Sequence, residues 1–306
     1  GLAFVTTAEE RESPSTPGAE MTVQSVRVLD PSADFAELGR IEYDEERDWS
    51  TPPSDAVLAA GRRVYLCIQN DVVVIDARDP SDPREIARFA VPPNANMTGS
   101  GNAVQPERYA LSGNRLYLAF NENVAHRAHS FESGVAVFAL DDPAHVAEIG
   151  AWTQAVPGNV TEVVVTGDTL LVGEMPSNRV RLYDVASRTD PRQVAMIEVD
   201  TMVRDFASDG DRLVIADGQY RIHVIDISEP SLPRQLAYRD LRQVMEVQVR
   251  GDYVYAAYIG PGETGKRVGH LAILKVTADN GLEDVYDLEG VPTYASELAL
   301  FGDVLV

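Results

Sequence analysis

The sequence predicts an all-β fold, a β-propeller of six four-stranded blades. The prediction rests on a recurring glycine pattern, alternating strand patterns and the spacing between copies. In each copy a glycine and one or two polar residues precede three or four strand-forming residues, as in Gly210-Asp-Arg-Leu-Val-Ile. The glycines lie 52, 54, 43, 41 and 51 residues apart, which is about the length of one blade. They are Gly61, Gly113, Gly167, Gly210, Gly251 and Gly302.

Each copy divides into four strands joined by recognisable turns. An alternating strand such as 246–250 precedes the glycine, and an apolar strand such as 63–68 follows it. Glycine next to Asp or Asn supplies the positive φ angles that a tight hairpin needs. A third strand such as 222–226 leads into a proline-bearing turn, because proline cannot continue a central strand. A short outermost strand such as 235–238 completes the blade.

The two ends of the chain are incomplete in complementary ways. Residues 22–43 carry the pattern of a third and a fourth strand, and residues 296–306 carry that of a first and a second strand. Pairing of these half-blades would close a ring of six, or of seven blades if the chain continues. We expect a flexible N-terminal segment at 1–20, where charged, Pro and Ser residues dominate, and a single propeller domain at 21–306.

Composition excludes some classes of partner. The 306 residues include 48 acidic and 26 basic side chains, a formal charge of −22. Nucleic-acid binding needs a basic surface, so this charge opposes it. No run approaches the roughly 18 apolar residues of a membrane span, so we expect no membrane insertion. Cys67 is the single cysteine and cannot form an internal disulfide. We expect a monomer.

One segment carries a family resemblance. Residues 215–233, which contain Ile222-His-Val-Ile-Asp-Ile-Ser-Glu-Pro, resemble the LVIVD repeat. Residues 72–83 repeat the pattern well, whereas residues 271–280 lack its Asp and its Pro. The resemblance implies a β-propeller and an exported protein, extracellular or at the cell surface. It implies no catalytic residues.

The long insertions all fall in the connections that share one face of a propeller. They are residues 92–106, 121–133 and 259–269. Elaborated loops on a rigid scaffold are where binding concentrates, so a protein, peptide or glycan ligand is expected there. His126, His129 and Glu132 could also suit zinc or iron, although no helix places the two rings on one side. The candidate ligand-binding residues are Asn94, Asn96, Asn102, Asn121, His126, His129 and Glu132.

An acidic residue recurs five or six positions before each glycine. Six carboxylates would therefore surround the mouth of a central channel, on the long-loop side. Clustered oxygens could hold Ca²⁺, the cofactor that we would expect at this ring, or could work as an acid–base pair. Alternatively, each carboxylate accepts hydrogen bonds from the backbone of the neighbouring blade. The six are Asp55, Glu107, Glu162, Asp205, Glu246 and Glu297.

These observations favour a binding module over an enzyme. No Gly-x-Ser-x-Gly elbow, phosphate-binding glycine loop or metalloprotease motif is present in the sequence. The alternative is a calcium-dependent six-bladed hydrolase of lactonase or phosphatase type, for which the acidic ring is the only support. A scaffold module within a longer polypeptide is a third possibility.

Overall fold

The structure is a computed structural model. It describes residues 2–12, 20–45, 57–68, 71–90, 109–123, 131–142, 147–154, 159–175, 177–187, 191–217, 219–262, 265–291, 298, 300–301 and 304–305. These residues form antiparallel strands and one short 3-10 turn, Pro31–Ala33. No helix among them is long and apolar enough to cross a membrane.

Residues 1–157 form one compact unit with three sheets. Sheet 1 contains β1 (Ala3–Glu12), β2 (Glu20–Asp30) and β3 (Ala36–Glu45). Sheet 2 contains β4 (Val57–Ala60), β5 (Arg63–Ile68), β6 (Asp71–Asp76) and β7 (Arg84–Ala90). Sheet 3 contains β8 (Tyr109–Ser112), β9 (Arg115–Asn123), β10 (Phe131–Ala139) and β11 (Ala147–Gln154).

Residues 158–306 form a second compact unit with three sheets and a terminal hairpin. Sheet 4 contains β12 (Asn159–Thr166), β13 (Thr169–Met175), β14 (Arg179–Asp184) and β15 (Arg192–Glu198). Sheet 5 contains β16 (Asp205–Asp209), β17 (Arg212–Ala216), β18 (Arg221–Asp226) and β19 (Arg234–Asp240). Sheet 6 contains β20 (Val244–Arg250), β21 (Tyr253–Pro261), β22 (Arg267–Val276) and β23 (Leu282–Val291). The hairpin contains β24 (Leu300–Phe301) and β25 (Val304–Leu305).

The predicted all-β class and the succession of antiparallel sheets are confirmed. In each four-stranded sheet the strands lie side by side in chain order. The predicted turn glycines Gly61, Gly113, Gly167, Gly210 and Gly251 have φ between 53° and 64°, the left-handed region. Glycine adopts this region without strain, which explains why it recurs there. Gly302 lies outside the described residues.

The N-terminal sheet differs from the expected half-blade. Residues 3–12, which fall in the segment expected to be flexible, form β1 and pair along β2 from Ala3↔Leu29 to Glu12↔Glu20. Phe4 is buried, and Arg11 donates a hydrogen bond of 3.0 Å to Glu42. Burial of Phe4 at one end of β1 and the contact of Arg11 with Glu42 at the other offset the conformational entropy that this segment loses when it becomes ordered. The composition of residues 1–20 does not reveal either contact. Joining of the two chain ends into one blade stays a prediction.

Within each unit the hydrophobic core lies in layers between successive sheets. Val26 and Val28 of sheet 1 pack with Val64 of sheet 2, and Leu171 of sheet 4 packs with Phe206 of sheet 5. Further layers join sheet 2 to sheet 3 and sheet 5 to sheet 6. A strand buried on both faces needs apolar residues in succession, which accounts for runs such as 72–75 and 213–216.

Every outermost strand carries a β-bulge opposite the third strand. In each case one residue of the outer strand is left out of the pairing, such as Ile86 in β7, Val194 in β15 and Leu236 in β19. A bulge increases the local twist and interrupts the free edge, which discourages edge-to-edge association. The residue after the bulge is small in five of the six sheets. These five are Gly39, Ala87, Gly150, Ala195 and Ala237.

The aspartate at the end of the third strand orders the following turn. Oδ1 of Asp76, Asp184 and Asp226 accepts a hydrogen bond from the backbone N–H two residues later, at 2.9–3.0 Å. In sheet 6, where the sequence lacks this Asp, Oγ1 of Thr277 accepts from Gly281 N at 2.9 Å. Short polar side chains that bond nearby backbone in this way favour turns over strand continuation.

We predict that Gly39→Ala destabilises the protein. A Cβ at this position would lie 2.4 Å from the carbonyl oxygen of Pro80, a backbone atom of the next sheet. Overpacking of this kind lowers the free energy of unfolding by about 1–3 kcal/mol. Urea unfolding measures the change, and Leu38→Ala at the exposed neighbour should lower it by less than about 1 kcal/mol. Equal stability of Gly39→Ala and wild type would contradict the close packing.

We predict that Asp226→Asn makes the free energy of unfolding less dependent on pH. Hydrogen bonds from Ser228 hold the pKa of Asp226 below its ordinary value. Because the pKa is lower in the folded state than in the unfolded state, Asp226 stabilises the fold at pH values above the unfolded-state pKa. This stabilisation is lost as the pH falls through the folded-state pKa. Urea unfolding between pH 7 and pH 3 should therefore show a smaller loss in Asp226→Asn, whose amide oxygen still accepts the turn bond. Asp211→Asn, at an exposed aspartate, should follow wild type; identical curves for all three would refute this role.

Candidate functional site: the carboxylates of the inner strands

Three of the six predicted carboxylates lie at matching positions on the first strands of sheets 4, 5 and 6. Glu162, Asp205 and Glu246 lie opposite Gly173, Ala216 and Ala257 of the second strands. These positions are far from the glycine hairpin, as the sequence predicted. Asp55, Glu107 and Glu297 lie outside the described residues.

Each of these carboxylates bonds the backbone of the next inner segment. Glu162 Oε2 accepts from Phe206 N at 3.0 Å, and Asp205 Oδ2 accepts from Val247 N at 2.6 Å. Glu246 Oε1 accepts from Leu298 N at 2.5 Å. The donor is always the residue that follows the next acidic position of the repeat. We call this series of contacts the carboxylate chain.

The carboxylate chain explains why an acid recurs in an otherwise apolar setting. An inner strand has no backbone partner on the side of the neighbouring sheet, so its N–H groups there need an acceptor. A carboxyl oxygen can accept such a hydrogen bond whether or not the group is protonated, and the side chain reaches between sheets. The predicted alternative, hydrogen bonding to the neighbouring blade, is what the structure has at these three positions.

Glu162 and Asp205 also bond each other through their side chains. Burial raises the pKa of Asp205, while the bonds from Glu162 and from the backbone of Val247 and Phe206 act in the opposite direction and offset burial only in part. Two carboxyl groups in contact favour a state in which they share one proton. Asp205 therefore keeps its proton to a higher pH than an isolated surface aspartate does.

The hydrogen bonds of these carboxyl groups are relevant to the predicted calcium site, because the same oxygens would have to bind the ion. Ca²⁺ takes 6–8 oxygen ligands, and carboxylates usually supply several of them. Within the described ranges, no group of three His, Cys, Asp or Glu side chains could hold a metal ion. The calcium prediction for all six acids stays a prediction, since half of them fall in the undescribed part.

A second set of hydrogen bonds joins the same sheets at their glycine hairpins. Asp209 Oδ2 accepts from Gly251 N at 2.6 Å, and Arg212 donates to the carbonyl oxygen of Gly251. Thr166 Oγ1 donates to the carbonyl oxygen of Gly210 at 2.9 Å. Sheets 4, 5 and 6 are thus joined by polar contacts at both ends of their inner strands, with apolar layers between.

Two of the predicted ligand-binding residues lie on one hairpin. Asn121 of β9 pairs with Ser133, and Glu132 of β10 pairs with Glu122, so both positions belong to the β9–β10 ladder. The other five predicted positions, Asn94, Asn96, Asn102, His126 and His129, lie outside the described residues.

Two of the three long insertions are built partly as extended hairpins. The ladder between second and third strands has nine residue pairs in sheet 3 and nine in sheet 6. It has six pairs in sheets 2 and 4 and five in sheet 5. The sequence located these insertions but did not predict that their stems continue the sheet. We call the outer part of this ladder in sheet 6, residues 258–262 and 265–270, the raised hairpin.

A polar cluster that the sequence did not reveal stands at the base of the raised hairpin. The rings of Tyr258 and His270 stack with centroids 4.7 Å apart. Asp287 accepts from the hydroxyl of Tyr258 at 2.7 Å, and its other oxygen lies 3.2 Å from His270 Nδ1. Burial and this carboxylate raise the pKa of Tyr258. Gly260 leaves room for the rings, because a Cβ there would lie 2.8 Å from Tyr258.

The corresponding loop of sheet 5 is short and closed by a buried aspartate. Oδ1 of Asp217 accepts from the N–H groups of Tyr220 and Arg221, both at 2.8 Å. Thr201 donates to the carbonyl oxygen of the same residue. Aspartate directly after an apolar strand is a signal for such a turn that sequence analysis could have used.

Comparisons with known proteins agree with this architecture. The LVIVD repeat matches residues 55–91, 202–236 and 241–260. No curated protein matches the chain in sequence.

Solved structures are similar in fold. A chain in the crystal structure of a mitotic checkpoint complex is 16% identical with a TM-score of 0.62, over 99% of this chain and 79% of that one. The computationally designed protein Ika8 is 10% identical with a TM-score of 0.56, over 97% and 91%. Sqt1 of Saccharomyces cerevisiae is 9% identical with a TM-score of 0.56, over 94% and 79%. Identities this low speak for the β-propeller fold alone.

We predict that Asp205→Ala and Asp205→Asn have different effects. Alanine removes the acceptor of Val247 N–H and should lower the free energy of unfolding by about 1–3 kcal/mol. Asparagine keeps an acceptor and carries no charge. The raised pKa of Asp205 means that wild-type stability falls as pH rises above the ordinary pKa of aspartate, and Asp205→Asn should remove this loss.

Urea unfolding from pH 5 to pH 8 measures both effects. Asp209→Ala is the matched control, because it also removes a carboxylate that bonds the next sheet, but at an exposed position. It should lower stability less than Asp205→Ala does. Equal losses for the two alanine variants, or an Asp205→Asn protein as sensitive to rising pH as wild type, would refute the role of the carboxylate chain.

Proposed function

Since the chain carries LVIVD repeats on a β-propeller fold, we propose that it is a binding module and not an enzyme. Its long-loop face takes a protein, peptide or glycan ligand. The protein acts outside the cell or at the cell surface, a location supported by the resemblance to LVIVD-repeat propellers. The single observation that carries the proposal is the raised hairpin, by which the second and third strands of sheet 6 pair over more residues than those of sheets 2, 4 and 5.

The raised hairpin has the features of a preorganised binding element. Its strands pair as far as Pro261↔Arg267, and Gly262 N donates to Lys266 O at 2.7 Å. The stacked rings of Tyr258 and His270 support its base. An element that is already ordered loses little conformational entropy when it binds. Lys266 and Arg267 are exposed at the tip, a local positive charge on a chain of net charge −22.

The carboxylate chain supports a scaffold role for the inner strands. An acid–base pair for hydrolysis needs carboxyl groups that can reach substrate. Glu162, Asp205 and Glu246 instead each accept a backbone N–H from the next inner segment. Moving any of these groups toward a substrate would leave a half-buried donor without its acceptor.

Peptide and glycan arrays test the proposed function. Labelled wild-type protein should give specific signals, and Lys266→Ser/Arg267→Ser should weaken them at least about tenfold if the tip is a hot spot. The control Arg250→Ser/Lys275→Ser makes the same charge change on sheet 6, at the end of β20 and on β22 opposite Tyr253, and should leave the signals unchanged.

Two results would contradict the proposal. One is the absence of specific signals, or an equal loss in the hairpin variant and its control. The other is turnover of a lactone or a phosphate monoester by the purified protein with added Ca²⁺, which would support the hydrolase.

A further inference from the structure

We propose that β23, the outer strand of sheet 6, is a docking edge for an extended partner segment in which basic and apolar residues alternate. This inference rests on the proposed function, since it assigns the binding module a peptide partner. It adds a second contact surface on the sheet that carries the raised hairpin.

The first observation is the unusual exposure of β23. Residues 283–290 are all exposed, whereas β15 and β19 each include half-buried or buried positions. Val285, Tyr286 and Leu288 are 53%, 54% and 41% exposed. Three large apolar side chains in four consecutive positions form a patch of the kind that marks interaction sites.

The second observation is a departure from the repeat. The position after the bulge is Ala or Gly in the other five sheets, and where it is Ala87, Ala195 or Ala237 it packs toward the following sheet. In sheet 6 this position is Tyr286, which is more than half exposed. The exposed Tyr238 of β19 is different, because the guanidinium of Arg221 lies over its ring at 4.9 Å.

The third observation is the division of β23 into two chemically distinct faces. Asp287 contacts Tyr258 and His270, so its side chain and that of Glu289 lie on one face of the sheet. Side chains alternate along a strand, so Tyr286 and Leu288 lie on the other face. An added strand with alternating residues would place cations beside the carboxylates and apolar groups beside Tyr286 and Leu288.

The free edge of β23 can accept such a strand. In the described part of the chain, β23 pairs with β22 alone. Its bulges leave Val285 and Gly290 out of the pairing, and residues 286–289 between them are regularly paired. An exposed strand edge offers backbone donors and acceptors to an extended peptide, and side-chain pockets then supply specificity.

Charge decides the kind of occupant. β23 carries Glu283, Asp284, Asp287 and Glu289 and has no basic residue, whereas β7, β15 and β19 all contain arginine. Asp284 forms an ion pair of 2.6 Å with Arg239 of β19, so the other three acids carry the charge that a partner would meet. A second copy of this chain would bring another formal charge of −22 and would be repelled. A cationic segment of a different protein is therefore the occupant that we propose.

A fluorescein-labelled peptide in which lysine and valine alternate tests the proposal by fluorescence anisotropy. It should bind wild type at least about tenfold more tightly than a peptide of the same composition with lysines and valines in two blocks. Methylation of alternate backbone nitrogens on the alternating peptide should weaken binding to a similar extent, because it removes donors without changing charge.

Variants assign the binding to β23. Tyr286→Ser/Leu288→Ser should weaken binding about tenfold or more, while Met196→Ser/Tyr238→Ser, which removes exposed apolar groups from β15 and β19, should not. Melting temperatures check that both variants are folded. Equal affinity for the alternating, block and methylated peptides would overturn the docking edge, as would unchanged binding by Tyr286→Ser/Leu288→Ser.

The outcome separates this inference from the proposed function. Lys266→Ser/Arg267→Ser should bind the alternating peptide as wild type does, because the hairpin tip lies outside the docking edge. If array signals depend on the raised hairpin but the alternating peptide does not bind, the docking edge is refuted and the proposed binding module is not. If the alternating peptide binds but no array signal depends on the hairpin, the long-loop face is refuted as the binding site.

Discussion

Contact between successive inner strands is the constraint on which the second unit depends. A four-stranded sheet of this kind buries both faces, and the first strand of each sheet has no partner strand on its open side. In sheets 4, 5 and 6 the open side is closed by a carboxylate that accepts a backbone N–H from the next inner segment. Each acidic side chain reaches across to the next inner segment, and the recurrence of this contact lets each sheet align the next.

The outer strands face the opposite requirement, because their free edges must not pair at random. The repeated bulge meets this requirement, and the small residue after it lets the strand pack against the following sheet. Sheet 6 keeps the bulge and replaces the small residue with Tyr286. A change at one position of a repeat can therefore convert a packed edge into an exposed one without altering the backbone pattern.

Carboxyl groups of the inner strands and turns already have hydrogen-bond partners within the protein, whereas sheet 6 has structure that sheets 2, 4 and 5 lack. The carboxylates of the inner strands bond backbone, and the turn aspartates bond their own turns. Added structure appears instead in the stem of the raised hairpin and along β23. Both lie on sheet 6, which is also where the repeat pattern is least regular, since Thr277 stands in for the turn aspartate. Departures from a structural repeat are the places where selection for something other than folding is expected.

The sequence by itself determined the fold class, the strand order within each sheet, the turn glycines and the matching positions of the acids on the inner strands of sheets 4, 5 and 6. These features depend on local chemistry: glycine permits positive φ, proline ends strands, and alternation shows which residues face the core. It did not determine the role of the acids, because a carboxylate that binds calcium and one that accepts a backbone N–H have the same spacing. Only tertiary structure brought Glu162 to Phe206 and Asp205 to Val247, pairs more than forty residues apart in sequence. The strand at 3–12 and the cluster of Tyr258, His270 and Asp287 were missed for the same reason: their stabilising partners are distant in sequence.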